Sequence, residues 1–374
     1  MKAPILIILY QEETNWMSCL KIHQGLLEAY KESFETDILY LNNSVSDYSL
    51  IESSVLSRSY KAIIGLDHRL SPTKILNYLV DNKKLTEQVR KMKIIFHPFG
   101  AIKELKQDWI YFNQLATSLD IHLALPSEAQ KSIYENYLIQ NNNLHSVPCL
   151  IGAALDKKIL SHRRIPSAEG PLKIGYLGRI SRLKNIIPMI QLLSPYLMSN
   201  QIQLHLAGPF DDYDKNDITR GVGFYMKDVM EAIKPYPQIF YHGVKTNDEV
   251  YEYLASLDGF CTLSTNPGED FCFSVAEALR IGLPCLLTKW IGLIDHAKRN
   301  PLAQLIETKL NSKNELDINC VSHEDIKVFL ENCRRPSPEA PKYSTIEVRE
   351  ELKKIIESPY SPFAGFHLER VQNL

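Results

Sequence analysis

Apolar and polar positions along this chain fall into two alternating patterns, short continuous runs and helically spaced stripes. Ala3–Tyr10 (APILIILY) is a continuous apolar run, as expected of a strand covered on both faces. Met17–Tyr30 then places Leu20, His23, Leu26, Leu27 and Tyr30 at helical spacing. Further apolar runs at Asp37–Leu41, Tyr60–Gly65, Lys93–Phe96, Asp120–Leu125 and Val147–Leu150 predict strands. Pro72–Asn82, Lys106–Ser118 and the segment from Ser127 to about Leu138 predict helices. Strand alternating with helix predicts a parallel sheet with helices on its faces.

Ser161–Pro171 (SHRRIPSAEGP) has two prolines, a glycine and no periodicity, and reads as a linker. A second alternating series starts at once. Its strands are predicted at Leu172–Leu177, Ile202–Ala207, Ile239–Tyr241, Gly259–Leu263 and Pro284–Thr288. Its helices are predicted at Asn185–Met198, Tyr225–Ile233, Asn247–Ser256 and Asp325–Glu331. Arg334–Pro341 is a second proline-rich hinge, and Thr345–Ser358 a charged amphipathic helix. The expected fold class is α/β, with two Rossmann-like domains facing across a cleft and a C-terminal helical tail. The expected boundaries are 1–165, 166–340 and 341–374. A length of 374 residues suits two domains. Ligands of such sheets bind outside the carboxyl ends of the strands.

Composition narrows the function. The net charge of -2 argues against bulk nucleic-acid binding, so no nucleic-acid partner is expected. Seven cysteines without a CxxC pair, and no signal peptide in view, predict a reduced, cytoplasmic chain. The apolar run at Pro4–Tyr10 is too short to span a membrane. Asn82–Lys93 (NKKLTEQVRKMK) is locally basic; it reads as a solvated helix face, with peripheral contact to the inner face of a membrane or to an anionic acceptor as the alternative. Asp211-Asp212-Tyr213-Asp214 reads as a solvated loop, and Cys261, Cys272 and Cys285 as packed free thiols. No metal site and no cofactor are expected.

The chemistry concentrates in Asn266–Pro284 (NPGEDFCFSVAEALRIGLP). Pro267-Gly268 makes a turn, Phe271–Ser274 should open a helix, and Gly282-Leu283-Pro284 should end it. On an ideal helix Glu269 and Glu277 would stand about 80° and about 12 Å apart, too far for one acid/base couple. A division of labour fits better. Glu269, in the loop, reaches toward a ligand, and Glu277 lies about a turn inside the helix. The amides of Phe271, Cys272, Phe273 and Ser274 between them form an anion site suited to a diphosphate. Two solvated glutamates near a helix start would also explain the pattern. Gly178-Arg179-Ile-Ser-Arg182-Leu-Lys184 follows a predicted strand, and its cations suit a diphosphate leaving group.

Six landmarks in order carry a resemblance. They are Gly178-Arg179…Lys184, Leu206-Ala207-Gly208, Tyr241-His242-Gly243-Val244, Leu263-Ser264, Glu269 with Glu277, and Gly282-Leu-Pro284. Residues from about Leu172 to Thr288 resemble the donor domain of retaining GT-B glycosyltransferases, the superfamily of glycogen synthases and sucrose-phosphate synthases. The resemblance implies a hexosyltransferase that moves a sugar from a UDP- or GDP-sugar to an acceptor hydroxyl of a glycan, lipid, protein or small molecule. It implies that Gly178, Arg179, Lys184 and the amides of Phe271–Ser274 bind the donor diphosphate. Glu277 is implied to bind ribose, and Glu269 to face the sugar. It further implies that His97, after Ile95-Phe96, lies near the transferred sugar, with His68 a rival. Asp120–Gln130 resembles the family's strand and serine-centred turn in the first domain, and the tail helix is implied to pack on that domain. The family often has glycine where this chain has Asn185, Asp270 and Cys272. Two other readings stay open: a silent nucleotide-sugar-binding protein and a GT-B-fold sugar-nucleotide epimerase.

Overall fold

The computed structural model describes residues 2–11, 17–42, 45–67, 69–100, 102–116, 119–148, 151–167, 169–211, 224–337 and 345–373. The chain divides into two compact units. Unit 1 is Met1–Ala153 with Tyr343–Leu374, and unit 2 is Ala154–Lys342.

Unit 1 is built on β1 (Pro4–Tyr10), β2 (Glu35–Leu41), β3 (Ala62–Gly65), β4 (Lys93–Phe96), β5 (Asp120–Leu125) and β6 (Leu144–Ser146). All pair in parallel, in the order β2-β1-β3-β4-β5-β6. Ile5, Leu6, Ile7 and Ile8 are all buried, because helices cover both faces of the sheet. The tail is part of this core. Helix Thr345–Glu357 lies along helix Met17–Ser33, and Arg349 reaches Glu32 at 3.1 Å. Beyond it, Phe363 and Phe366 are buried against Phe112 and Trp109. Asn113 bonds both the amide and the carbonyl of Phe366, at 2.6 and 2.7 Å.

Unit 2 is built on β7 (Leu172–Leu177), β8 (Ile202–Ala207), β9 (Ile239–Tyr241), β10 (Gly259–Thr262), β11 (Cys285–Thr288) and β12 (Ala303–Ile306). Its parallel order is β12-β11-β10-β7-β8-β9. Numbered from β7 as the first strand, this is the doubly wound order 3-2-1-4-5-6. Unit 1 instead starts 2-1-3-4-5. Each order reverses direction beside its first strand, between β1 and β3 in unit 1 and between β7 and β10 in unit 2.

Several elements differ from the sequence expectation. The last strand of unit 1 is Leu144–Ser146, earlier than Val147–Leu150; the Val147 amide still reaches the Leu125 carbonyl, and residues 149–150 lie outside the described set. A polar Asn141–Asn143 run just before this strand, and His145 within it, hide its apolar character. Strand β12 and helices Val45–Ser57, Ala153–Leu160 and Ile291–Arg299 were not expected. The division between units falls at Ala153/Ala154, ahead of the proline-rich stretch. Helix Ala153–Leu160 ties its Asp156 to Arg280 of unit 2, and Arg164 is buried with a guanidinium bond to the Gly282 carbonyl.

Candidate functional site

In unit 2 the loops after β7 and β10 flank the point where strand order reverses, and a crevice forms there in open α/β sheets. Gly178 begins the first loop, and a close backbone approach requires a glycine opposite it. A Cβ on Gly208, at φ 133°, would stand 1.9 Å from the Gly178 carbonyl oxygen. The loop then runs through Arg179, half-exposed and paired with Asp211, to a single 3₁₀ turn at Arg182–Lys184. Arg182 is turned toward Asp228 and Glu315, at 3.2 and 3.4 Å, and lies over the Tyr225 ring. Residues 212–214 of the acidic loop lie outside the described residues.

Lys184 donates to the Glu269 carboxylate, and both side chains are largely buried. The Leu183 carbonyl accepts from the Thr265 amide at 2.9 Å, so backbone and side chain both join the two loops. Burial alone would raise the Glu269 pKa. The adjacent Lys184 ammonium outweighs burial and holds it below the usual carboxylate range.

The helix after this loop runs Phe273–Ile281, so Phe271 and Cys272 precede it instead of opening it. Phe271 and Phe273 are buried and anchor its start. Ser274 Oγ lies 3.7 Å from the Cys272 sulfur. Cys272 holds φ 56°, in the left-handed region, and burial followed by the nearby Glu269 carboxylate pushes its thiol up to about 12. Asn185, directly after Lys184, holds φ 53°. Two of the three positions where the resembled family often has glycine are thus left-handed, which is the physical reason for glycine there. Asn185 tolerates it with help. Its side chain is fully buried and bonds the Leu263 carbonyl, Thr265 Oγ1 and the Leu316 amide at 2.7, 2.8 and 2.9 Å. Glu277 accepts from the Tyr251 hydroxyl at 3.1 Å, away from Glu269, so the two glutamates have separate partners.

Sequence reading missed what holds this loop. Gly292, at the start of helix Ile291–Arg299, donates to the Glu269 carbonyl at 3.0 Å, and a Cβ there would stand 2.0 Å from the Asp270 carbonyl oxygen. Trp290 Nε1 donates to the Asn266 carbonyl at 2.8 Å, and the His296 ring bonds the Phe271 carbonyl. Burial pulls His296 down to about 4, so Nε2 acts as a neutral N–H donor. The only sequence signal was Gly292 itself, four residues past a strand end. Among the described residues no group of three or more His, Cys, Asp or Glu is placed to hold a metal ion.

Unit 1 has its own rim. His97 follows β4 and is buried; its Nε2 lies 2.8 Å from the Tyr30 hydroxyl, and burial pulls it down to about 3. At the reversal between β1 and β3, Arg69 grips the buried Asp67 carboxylate at 3.0 and 2.7 Å and lies over the Tyr10 ring. Burial would raise the Asp67 pKa, but the Arg69 bonds hold it low. His68 lies outside the described residues. Tyr30, Arg69 and Tyr10 had not been singled out from the sequence.

With this geometry in place, comparison with known proteins gives a match over part of the chain. Residues 157–316 match the family model of the glycosyl transferases group 1. The group 1 match contains the Gly178–Lys184 loop, Glu269, the helix start and Gly292. No curated protein matches the chain in sequence. Similar solved structures include HepE of Anabaena in complex with UDP and glucose, at TM-score 0.61 and 14% identity over 96% of this chain and 100% of that one. A glycosyltransferase from Rickettsia africae ESF-5 gives TM-score 0.61 and 13% identity, again over 96% and 100%. Sucrose-phosphate synthase from Thermosynechococcus elongatus gives TM-score 0.56 and 12% identity over 95% and 96%. The fold is accordingly that of GT-B glycosyltransferases, two parallel six-stranded sheets with flanking helices. Among the described residues no helix is long and apolar enough to cross a membrane.

Proposed function

We propose that this chain is a hexosyltransferase that moves a sugar from a nucleotide diphosphate sugar, a UDP- or GDP-sugar, to an acceptor hydroxyl. The reaction retains anomeric configuration and needs no metal. The observation that carries this reading is the buried Lys184–Glu269 pair, set at the strand-order reversal of unit 2 just before the Phe273–Ile281 helix. A cation, a helix start and a carboxylate at one point provide for phosphate and sugar together. The group 1 match over this segment supports the reaction class. The UDP and glucose held by HepE support the donor class.

In this reading Arg179, Lys184 and the amides of Phe271–Ser274 neutralise the departing diphosphate. Gly178 lets backbone approach it. Glu269 orients the sugar hydroxyls, Glu277 takes the ribose, and His97 is a contact to the transferred sugar. The acceptor hydroxyl belongs to a glycan, lipid, protein or small molecule. We place the enzyme in the cytoplasm, with peripheral membrane contact a further option for the basic segment 82–93.

A thermal-shift screen against UDP, GDP and their sugars tests the reading. A true donor at a hundred times its Kd adds about 2.7 kcal/mol to stability. Glu277→Ala is expected to weaken donor binding about tenfold or more, and an unchanged affinity removes the ribose role. Donor turnover separates the alternatives. Saturable binding without turnover, acceptors included, establishes a silent binding protein, the reading that a cysteine side chain at the helix start favours. Interconversion of donors without acceptor establishes an epimerase.

A further inference from the structure

Tyr30 is completely buried, and among the described residues its hydroxyl has one hydrogen-bond partner, His97 Nε2 at 2.8 Å. That arrangement decides where the imidazole proton sits. A hydroxyl has one proton to donate, and a buried proton without an acceptor is strongly disfavoured. Burial also raises the Tyr30 pKa well above its ordinary value, so the phenol keeps its proton. If Nε2–H donated to the phenol oxygen, the phenol proton would be stranded. A doubly protonated ring fails for the same reason, and burial opposes it as well. The O–H therefore points at Nε2, and the ring proton must sit on Nδ1. Nδ1 makes no hydrogen bond among the described residues and is not one of the fully buried atoms that lack a partner, so its proton, unlike that of the phenol, keeps access to solvent or a ligand.

We infer that Tyr30 is a positioning residue whose hydroxyl fixes His97 as the neutral Nδ1–H tautomer, a single hydrogen-bond donor at the carboxyl end of β4. Such a donor selects an uncharged oxygen acceptor, a sugar hydroxyl or ring oxygen, over a phosphate, which a cation would hold better. That choice of ligand rests on the proposed role of His97; the tautomer itself does not.

The test uses the full chain labelled with ¹⁵N-histidine, with His97 assigned by the signal that His97→Gln removes. Long-range ¹H–¹⁵N correlation distinguishes the two neutral tautomers without any substrate. The expected result is the Nδ1–H form for wild-type His97 at neutral pH, and its loss or mixing in Tyr30→Phe. An Nε2–H form in the wild type, or an unchanged Nδ1–H form in Tyr30→Phe, overturns the inference. The wild-type arm stands even if Tyr30→Phe folds poorly. Kinetics add a readout tied to the site: Tyr30→Phe is expected to lower kcat/KM about threefold to tenfold, with the affinity for free nucleoside diphosphate unchanged. Equal loss of nucleoside diphosphate binding would point to general damage and overturn the positioning role. The Nδ1–H signal together with no binding of any nucleotide sugar would instead reject the proposed function and leave the tautomer assignment standing.

Discussion

The two units share a doubly wound parallel sheet, yet the strand ends that carry Lys184 with Glu269 in one and His97 in the other are built from opposite chemistries. The unit 2 rim is charged: Lys184 is buried against Glu269. At His97 the unit 1 rim is neutral, an imidazole held by a phenol. The topology places both at strand ends, and side chains alone decide what each can do. A charged rim suits a diphosphate. A neutral donor suits a hydroxyl. The two rims should also respond differently to substitution and to acid, and that difference can be measured.

Removing the cation of the charged rim is expected to have the largest effect. Lys184→Ala leaves the Glu269 carboxylate buried without its counter-ion, which costs about 3 kcal/mol or more in urea unfolding at neutral pH. The Glu269 pKa is depressed in the folded state, so its stabilisation is present above the ordinary carboxylate value of about 4.3 and is lost as pH falls through the folded value. The gap between wild type and variant should therefore narrow at low pH. A gap that is constant with pH would mean that the pair does not set the stability of this rim.

Gly292→Ala comes next and attacks the same rim from behind. The added Cβ meets the backbone of Asp270, which cannot swing aside as a side chain would. A loss of about 2 kcal/mol is expected, together with weaker nucleotide binding in calorimetry. Wild-type binding would show that the Glu269 loop is held elsewhere.

His97 answers to a different pH window. His97 is held near 3 when folded, against about 6.5 in an unfolded chain. Between those values the unfolded state binds the extra proton, so stability falls as pH drops below about 6.5. His97→Gln is expected to cost about 1 kcal/mol at neutral pH and to flatten this slope by up to ~1.4 kcal/mol per pH unit. Parallel stability curves for wild type and variant between pH 6 and 4 would falsify the buried neutral state.

The sequence was most legible where physics repeats. Parallel strands buried on both faces read as apolar runs, so β1 and β5 could be placed closely, and β7 and β8 were placed closely although Lys173, Gln203 and His205 interrupt their apolar positions. The short β12, with only Ala303, Gln304, Leu305 and Ile306, could not be told from a loop, and the serine-rich helix Val45–Ser57 has weak propensity and no clear stripe. At the site, Glu269, Lys184 and the helix start stood out through the ordered landmarks that carry the family resemblance, because their types alone also fit solvated surface residues. Tyr30 and Gly292 did not, because each acts across a long sequence separation through a single contact. Tyr30 reads as one more apolar position of a helix, and only folding shows what its hydroxyl meets.

The two left-handed non-glycine positions of the charged rim separate backbone strain from side-chain use, and there the expected effect is smallest. Asn185 and Cys272 have nearly the same φ, 53° and 56°. Asn185 spends its amide on three buried partners, so glycine there would relieve strain but strand those groups. Cys272 has a weak sulfur contact to Ser274 and a thiol hydrogen bond to the Glu269 carboxylate. Cys272→Gly removes a left-handed strain of roughly 1 kcal/mol and gives up some buried thiol and some unfolded-state restriction in exchange. The expected net change is within about 0.5 kcal/mol of zero, with donor affinity equal to or better than wild type, because the Cβ and sulfur leave the start of the helix proposed to bind phosphate. If Cys272→Gly instead binds nucleoside diphosphate more weakly, the thiol serves the site, by touching the ligand or by holding Glu269, and the charged rim uses a side chain that glycine does not offer.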